Sequence, residues 1–385
     1  MSLSVRPPIT TLPSYSLTSD LLGFLRCGLQ YRYTRIGNLP SSHPVQLWFG
    51  QFIHAVLEES YRHAKEGKKK LPPWSQDELN EIMDRIDRRL AAQKIRCWSE
   101  DSEQLGRKRA TAAVNELGPL LFPLINQAEV RVRGARKLPE EVEGVITRDI
   151  DRYEMMGVID VVTQVELYNP KSRGNKLLEL VVEELPDTPP EEFEVIVDYK
   201  GMKRPDLAEK GVGLWEIYEW QIHTYSHLRS MLTSKPIIAG MLVYLNELIP
   251  TKTDFYALRR ALKDGAKDAI LPDLGSEDEK VLRDWKSSYK HEEPPLLSLD
   301  FRLKRAIRVI PISENDKRES LRAFDETVGR IEKCLAEEAR SGLVIASWEK
   351  NSSHEPTCAA CDSKTYCPDF QSENAPRIPG IRLES

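Results

Sequence analysis

The chain has 385 residues, 40% of them hydrophobic and 30% charged, with a formal net charge of −5 and a pI of about 5.9. This length predicts a sizeable core in one large domain or in two. The acidic balance excludes nucleic-acid binding through global positive charge, so any such binding needs local basic patches. No apolar run approaches the roughly 20 residues of a membrane span, and the first residues lack a leader pattern. We therefore expect a cytoplasmic protein without membrane contact.

The first part of the chain is predicted to be helical and then to change to strands. Apolar residues recur at helical spacing, and later alternate with polar ones at strand spacing. The predicted helices span 17–34, 45–65, 76–96 and 101–126, and the predicted strands 128–134, 142–148 and 154–166.

The second part alternates between strands and helices. Predicted strands span 193–200, 235–245 and 300–312, and predicted helices span 213–232 and 315–341. Helices followed by a strand meander and a strand–helix–strand unit predict an α/β fold with a mixed sheet flanked by helices.

The predicted elements divide the chain into five segments. They are a helical region (1–126), a core (127–245) with a polar excursion at 167–192, a charged insertion (246–299), a last core strand and long helix (300–341), and a cysteine-containing tail (342–385).

Three of the six cysteines lie close together in the tail, where the spacing is Cys358-x2-Cys361-x5-Cys367. Thiolates at this spacing hold a metal ion or an iron–sulfur cluster, because a short loop can turn them onto one centre. Zinc and a four-iron cluster both need a fourth ligand, for which Cys27 is the candidate. Such a centre would join the two ends of the chain, and the sequence leaves zinc and iron open.

The segment Asp198-Tyr199-Lys200 ends an apolar strand. Side chains alternate along a strand, so Asp198 and Lys200 are predicted to point to the same face. A carboxylate can hold a divalent cation and a nearby lysine can orient water. The plainer alternative is a strand that simply reaches solvent.

Three further polar residues stand in apolar surroundings. Asp160 interrupts an apolar strand and is costly to bury without a cation or hydrogen bonds. Gln221 lies on the apolar stripe of a helix, four residues before Tyr225, and needs a polar partner. His54 lies four residues after Gly50 on a predicted helix and could bind a metal. Each also has a purely structural explanation when taken alone.

The order of these pieces resembles the RecB-like branch of the PD-(D/E)XK nucleases, specifically its iron–sulfur members. These include CRISPR-associated adaptation nucleases, the AddB subunit of a helicase–nuclease, and exonuclease V. The order is Cys27, Gly50-x3-His54, Gly157-x2-Asp160, Asp198-x-Lys200, Gln221-x3-Tyr225 and the three tail cysteines. One departure is Gly28, which follows Cys27 where the family often has proline.

The resemblance implies a restriction-endonuclease-like core and a role for each matched residue. Asp160, Asp198, His54 and the Tyr199 carbonyl would bind Mg²⁺ or Mn²⁺. Lys200 would position and help deprotonate water, and Gln221 and Tyr225 would orient the lysine or the phosphate. Cys27, Cys358, Cys361 and Cys367 would bind a [4Fe-4S] cluster with a mainly structural role, and zinc is the alternative.

The implied function is that of a metal-dependent DNA nuclease, an exonuclease on single-stranded DNA ends in repair, recombination or CRISPR defence. Lys203, Arg204, Arg302 and Arg305 are candidates for phosphate contacts, with plain solvated surface as the alternative for each. The last two fall in a predicted basic strand. Two other functions stay open: a nuclease subunit that works only with a helicase, recombination or CRISPR-adaptation partner, and a non-catalytic DNA-binding protein. The sequence has no GxxxxGK[ST] phosphate loop of its own.

Overall fold

The computed structural model describes residues 12–39, 46–139, 151–205, 213–266, 269–285, 293–351 and 358–370. The chain forms two compact units. The terminal unit takes residues from 1–42, 133–157 and 319–385, and the core unit takes residues from 43–132 and 158–318. Among the described residues no helix is long and apolar enough to span a bilayer.

The terminal unit brings the N-terminal helices against the C-terminal helices. Strand β1 pairs in parallel with the start of β3, where Ser14 lies beside Glu154. Both Arg32 and Trp348 bind the Glu338 carboxylate, each with donor–acceptor distances of 2.6 Å. All three side chains are buried, so these charge-assisted bonds fix α12 to the N-terminal segment. The elements are β1 Ser14–Ser16, α1 Leu22–Arg26, α2 Gly28–Tyr31, the first part of β3 Arg152–Thr163, most of α12 Glu314–Ser341, and α13 Val344–Ser347.

The core unit contains the rest of the helices and strands. Its helices are α3 Gln46–Lys65, α4 Gln76–Ala92, α5 Glu100–Ala112, α6 Gly118–Leu121, α7 Lys176–Glu183, α8 Leu214–Ser230, α9 Lys252–Asp264, α10 Glu277–Asp284 and α11 Leu299–Ala306. Its strands are most of β2 Ile125–Lys137, the end of β3, β4 Val165–Glu166, β5 Glu192–Lys200, β6 Ile237–Tyr244 and β7 Ile307–Pro311.

Strand β5 is central in a mixed sheet. It is antiparallel to β3, where Val197 pairs with Val161, and parallel to β6, where Asp198 pairs with Leu242. Strand β6 is in turn antiparallel to β7. The apolar residues of β5 pack with α3 in one large core, and α8 packs against β5 and β6. The predicted α/β class, with a mixed sheet flanked by helices, is therefore confirmed.

The close packing of α8 on the sheet depends on a glycine. A Cβ atom added at Gly240 in β6 would lie 2.2 Å from Cγ2 of Ile222 on α8. Glycine therefore lets the helix approach β6, and through it the neighbouring β5. This close approach matters because α8 carries Gln221, the polar residue that faces the end of β5.

Two predicted elements need correction. The predicted strand over 300–312 is helix α11 followed by the short strand β7. Ser298 caps the helix by accepting a hydrogen bond from the Phe301 amide, and β-branched residues begin only at Ile307. The predicted helix over 17–34 is interrupted at Cys27, whose backbone is extended (φ −166°, ψ 111°).

The two polar stretches that we predicted as excursions contain helices. Asn175 caps α7 within 167–192. Helices α9 and α10 lie within 246–299 and share a small apolar cluster that includes Phe255 and Leu282. The predicted strand over 142–148 lies outside the described residues. The five-segment division stays a prediction.

Candidate active site

Three polar side chains close a ring of two hydrogen bonds and one ion pair where β5 meets α8. The Lys200 ammonium lies 2.5 Å from Oδ2 of Asp198 and donates to Oε1 of Gln221 at 3.0 Å. The Gln221 amide nitrogen donates to Oδ1 of Asp198 at 2.8 Å. Asp198 and Gln221 are only 5% and 6% exposed. The strand alternation predicted one shared face for Asp198 and Lys200, and the ion pair between them agrees with it.

The tyrosine that contacts Lys200 is Tyr218, which we did not predict as a site residue. Its ring centroid lies 4.0 Å from the lysine Nζ, a cation–π distance. Tyr218 lies three residues before Gln221 on α8, so both reach the same neighbour. Tyr225, four residues after Gln221 on the same helix, is buried, and its predicted role in orienting the lysine or the phosphate stays a prediction.

Asp160 lies next to this ring on the neighbouring strand. Because Val161 pairs with Val197 in antiparallel register, Asp160 and Asp198 lie across from each other. The Tyr199 amide donates to Oδ2 of Asp160 at 2.8 Å, and Nδ1 of His54 lies 3.6 Å from the same oxygen. Burial, and then the charge of Asp198, raise the pKa of Asp160 to about 8. Two facing carboxylates in this surrounding favour a cation, which would offset both costs.

His54 reaches this point because α3 approaches the end of β5 closely. A Cβ atom added at Gly201 would lie 3.2 Å from the Cα atom of Gly50. Glycine at position 201 therefore permits the approach that sets the His54 ring edge-on to Tyr199, with 5.5 Å between the centroids. Burial lowers the pKa of His54, which favours the neutral imidazole that a metal needs.

The close approach gives a testable prediction at Gly201. The change Gly201→Ala requires α3 to shift from β5 by a few tenths of an ångström, because the Cα atom of Gly50 stands in the way and cannot rotate aside. We expect a loss of about 1–3 kcal/mol in the free energy of unfolding, measured by urea denaturation. Gly50→Ala is the control, because its Cβ would meet nothing within 4 Å. Equal stability of the two variants would contradict the packing argument.

A further acidic residue, Glu129 in β2, borders the same site. It lies with His54 and Asp160 around a small hollow and has a left-handed backbone (φ +51°), which is rare for a residue with a side chain. Burial and the charge of Asp160 raise its pKa. The sequence did not single it out, because a glutamate in an alternating strand is ordinary on a solvent-facing side.

The candidate DNA contacts divide into one exposed lysine and three arginines that contact other residues of the protein. Lys203 is exposed beyond β5. Arg204 donates to the Arg305 carbonyl at 2.7 Å, and Arg305 forms an ion pair with Glu247 at 2.7 Å. Arg302 is only 4% exposed and donates to the Leu248 carbonyl at 2.8 Å. The predicted basic strand is wrong, since Arg302 and Arg305 lie in α11 and hold it in place.

The four predicted cluster cysteines all lie in the terminal unit. Cys27 stands at the break between α1 and α2, and the nearby Leu29 amide donates to the Glu349 carbonyl at 2.8 Å. Burial, and then the thiols of Cys27 and Cys367, raise the pKa values of Cys358 and Cys361. No cysteine of the chain is in a disulfide. Four neighbouring thiols fit a cationic centre, which would relieve the repulsion among their thiolates.

The argument for a metal at the carboxylate site and at the cysteine site depends on the chemistry of the donor atoms. Within the ranges given above, no group of three His, Cys, Asp or Glu side chains is already arranged to hold a metal ion. Two carboxylates and an imidazole suit Mg²⁺ or Mn²⁺ at the first site, whereas four thiols suit zinc or iron at the second.

Comparison with known proteins relates part of the chain to one nuclease superfamily. Residues 18–169 match the family model of the PD-(D/E)XK nuclease superfamily. No curated protein matches the chain. The matched range includes His54 and Asp160 and ends before Asp198. The match supports a PD-(D/E)XK nuclease superfamily domain, and the mixed sheet with flanking helices is consistent with the restriction-endonuclease-like core of that superfamily.

Proposed function

We propose that this protein is a metal-dependent deoxyribonuclease of the RecB-like branch, acting on single-stranded DNA ends. The observation that carries the proposal is the closed ring of Asp198, Lys200 and Gln221 beside Asp160. The resemblance in motif order and the superfamily match over residues 18–169 support it.

Four groups would hold the ion in this proposal: the carboxylates of Asp160 and Asp198, the imidazole of His54 and the Tyr199 carbonyl. When bound, Mg²⁺ or Mn²⁺ supplies Lewis acidity that makes water a better nucleophile and offsets negative charge on the phosphate. The Tyr199 amide orients the Asp160 carboxylate by its 2.8 Å hydrogen bond. His54 offers a lone pair because burial disfavours its protonated form.

Lys200 would act on the water and the phosphate. Its ammonium is held by Asp198, Gln221 and the Tyr218 ring, so it needs little reorganisation to donate a hydrogen bond to an incoming oxygen. Gln221 accepts from Lys200 and donates to Asp198, which fixes the position of both. The ring thus preorganises one donor next to the proposed metal ligands.

The four cysteines would hold a [4Fe-4S] cluster, with zinc as the alternative, in the terminal unit. Its role in this proposal is structural, because it would tie the break after α1 to the C-terminal segment. The DNA-cleaving residues all belong to the core unit. The cluster would therefore act on stability and not on the hydrolytic step.

The proposed function is tested with end-labelled single-stranded and duplex DNA, with Mg²⁺ or Mn²⁺ and with a chelator. We expect metal-dependent cleavage by the wild type and its loss in Asp198→Asn, which keeps the size of the side chain but removes a charge that binds the cation. Mn²⁺ binding, measured by calorimetry, should weaken in the same variant. DNA binding without cleavage would favour a subunit that needs a helicase, recombination or CRISPR-adaptation partner. Cleavage that persists in the chelator would contradict the proposal.

A further inference from the structure

The active-site ring opens into a cleft of about 760 Å³ between α3, the end of α4 and the segment after β5. His54, Tyr199 and Lys200 form part of its wall. A volume of this size falls within the roughly 300–1,000 Å³ of small-ligand sites, so it suits a short segment of one DNA strand. The residues that extend it beyond the catalytic groups are Leu47, Gly50, Arg89, Leu90, Gln93 and Met202.

Arg89 is a cation without an ion-pair partner among the described residues. Its neighbours on α4 are engaged: Arg85 pairs with Glu59 at 3.2 Å, and Arg88 donates to the Asp84 carbonyl at 3.2 Å. Arg89 is exposed and lines the cleft instead. An unpaired guanidinium on a cleft wall is available to a phosphate, for which its fork of donors is well suited.

The charges of the cleft are separated between its two ends. Glu58 and Glu129 also border the small hollow with His54 and Asp160, so the acidic side chains lie beside the proposed metal ligands. Arg89 does not border that hollow and lies with Gln93 at the end of α4. A phosphate away from the metal site would therefore meet Arg89 and not the two glutamates.

Apolar side chains form the wall between these ends. Leu90 is buried, whereas Met202 is 40% exposed and lies two residues after Lys200, the last residue of β5. Apolar contact with a base needs that base to be unstacked and unpaired, as it is in a single strand. This wall therefore favours a single strand over a duplex.

Gly50 leaves the floor of the cleft open. A Cβ atom added there would meet nothing within 4 Å, although Gly50 lies in the second turn of α3. Any longer side chain at this position would extend into the space of the cleft.

We infer that this cleft is the subsite for the nucleotides next to the cleaved bond of a single strand, with Arg89 binding a phosphate and Leu47 and Met202 contacting a base. The inference rests on the proposed nuclease function and deepens it. Arg89 is thus a positioning residue, and it takes no part in the chemical step.

The first test compares Arg89→Ala with Arg88→Ala, its exposed neighbour. We expect Arg89→Ala to raise KM for single-stranded DNA about tenfold with kcat nearly unchanged, since one charge-assisted bond is lost. Binding is also measured without metal, on a Lys200→Ala background, as a function of salt. The slope of log K against log salt should fall in magnitude by about 0.7 for one lost phosphate contact to a single strand. A merely structural role for Arg89 would not change that slope.

The second test fills the cleft. Gly50→Leu should weaken single-strand binding at least tenfold, whereas Gly50→Ala should weaken it less than threefold. Both residues are better helix formers than glycine, so α3 should remain folded. Circular dichroism and thermal unfolding check this.

The possible results of these tests distinguish a failure of the proposed subsite from a failure of the proposed nuclease function. If the wild type cleaves single strands and Arg89→Ala and Gly50→Leu match their controls in KM and salt slope, the subsite is overturned and the nuclease stands. If the wild type cleaves nothing, but Arg89→Ala and Gly50→Leu still weaken single-strand binding, the subsite stands and the nuclease proposal fails. Equal binding of duplex and single strand by the wild type overturns the single-strand preference.

Discussion

Replacing Lys200 with alanine should reduce metal-dependent DNA cleavage by at least about 100-fold, the usual size of the effect when a preorganised donor is removed. The ammonium is held in one position by Asp198, Gln221 and the Tyr218 ring. Lys200 contacts both Asp198 and Gln221, so its removal takes away the one cation that joins them in the ring. Single-turnover rates at saturating DNA measure the loss in the chemical step.

Mn²⁺ should also stabilise Lys200→Ala more than it stabilises the wild type. Removing Lys200 leaves the Asp198 carboxylate, which is 5% exposed, without its counter-charge. Breaking a buried pair on one side typically costs about 3–5 kcal/mol. Because Mn²⁺ would supply the missing positive charge, we expect it to raise the melting temperature of Lys200→Ala more than that of the wild type.

Lys235→Ala is the matched control. Lys235 precedes β6 and pairs with Glu192 at 3.0 Å, at the end of the sheet away from the active site. The loss of this partly exposed pair should cost at most about 1 kcal/mol and leave cleavage unchanged. Cleavage by Lys200→Ala at the rate of the control would exclude the lysine from the mechanism. Lys200→Gln keeps a polar partner for Asp198 and separates misfolding from loss of the charge.

Replacing Cys361 with serine should remove the proposed iron–sulfur centre and release the C-terminal tail. Metal binding by small thiolate sites supplies about 10 kcal/mol or more of folding free energy. The loss of one thiolate should therefore lower the stability of the tail strongly. Burial, and then the neighbouring Cys27 and Cys367, raise the pKa values of Cys358 and Cys361, which favours their neutral thiols until a cation is present.

Iron and zinc analysis of anaerobically purified protein, together with limited proteolysis, measures this change. We expect the wild type to contain four irons per chain, or one zinc under the alternative, and Cys361→Ser to lose the metal and become sensitive near its C-terminus. Cys97→Ser is the control, because Cys97 lies in the core unit and its thiol donates to the Ser99 carbonyl. Unchanged metal content and protease resistance in Cys361→Ser would show that this thiol is not a ligand.

The sequence by itself determined the features that depend on neighbouring residues. Strand alternation set Asp198 and Lys200 on one face, and helical spacing set Tyr218, Gln221 and Tyr225 on one stripe. Both periods follow from local backbone sterics, which a short stretch of sequence contains. The α/β class could be predicted for the same reason. The boundary at Ile307 was missed because the apolar residues of α11 also alternate, and only the Ser298 cap and the late β-branched residues indicate the helix.

Only the tertiary structure decided which of these residues meet. The strand register set Asp160 opposite Asp198, and the packing of α8 chose Tyr218 for the contact with Lys200. The approach of Gly50 to Gly201 brought His54 to Asp160. Carbonyl and carboxylate oxygens of the protein itself bind the side chains of Arg302 and Arg305. These contacts join residues far apart in the chain. Their geometry depends on packing between whole helices and strands, to which any one segment contributes only part.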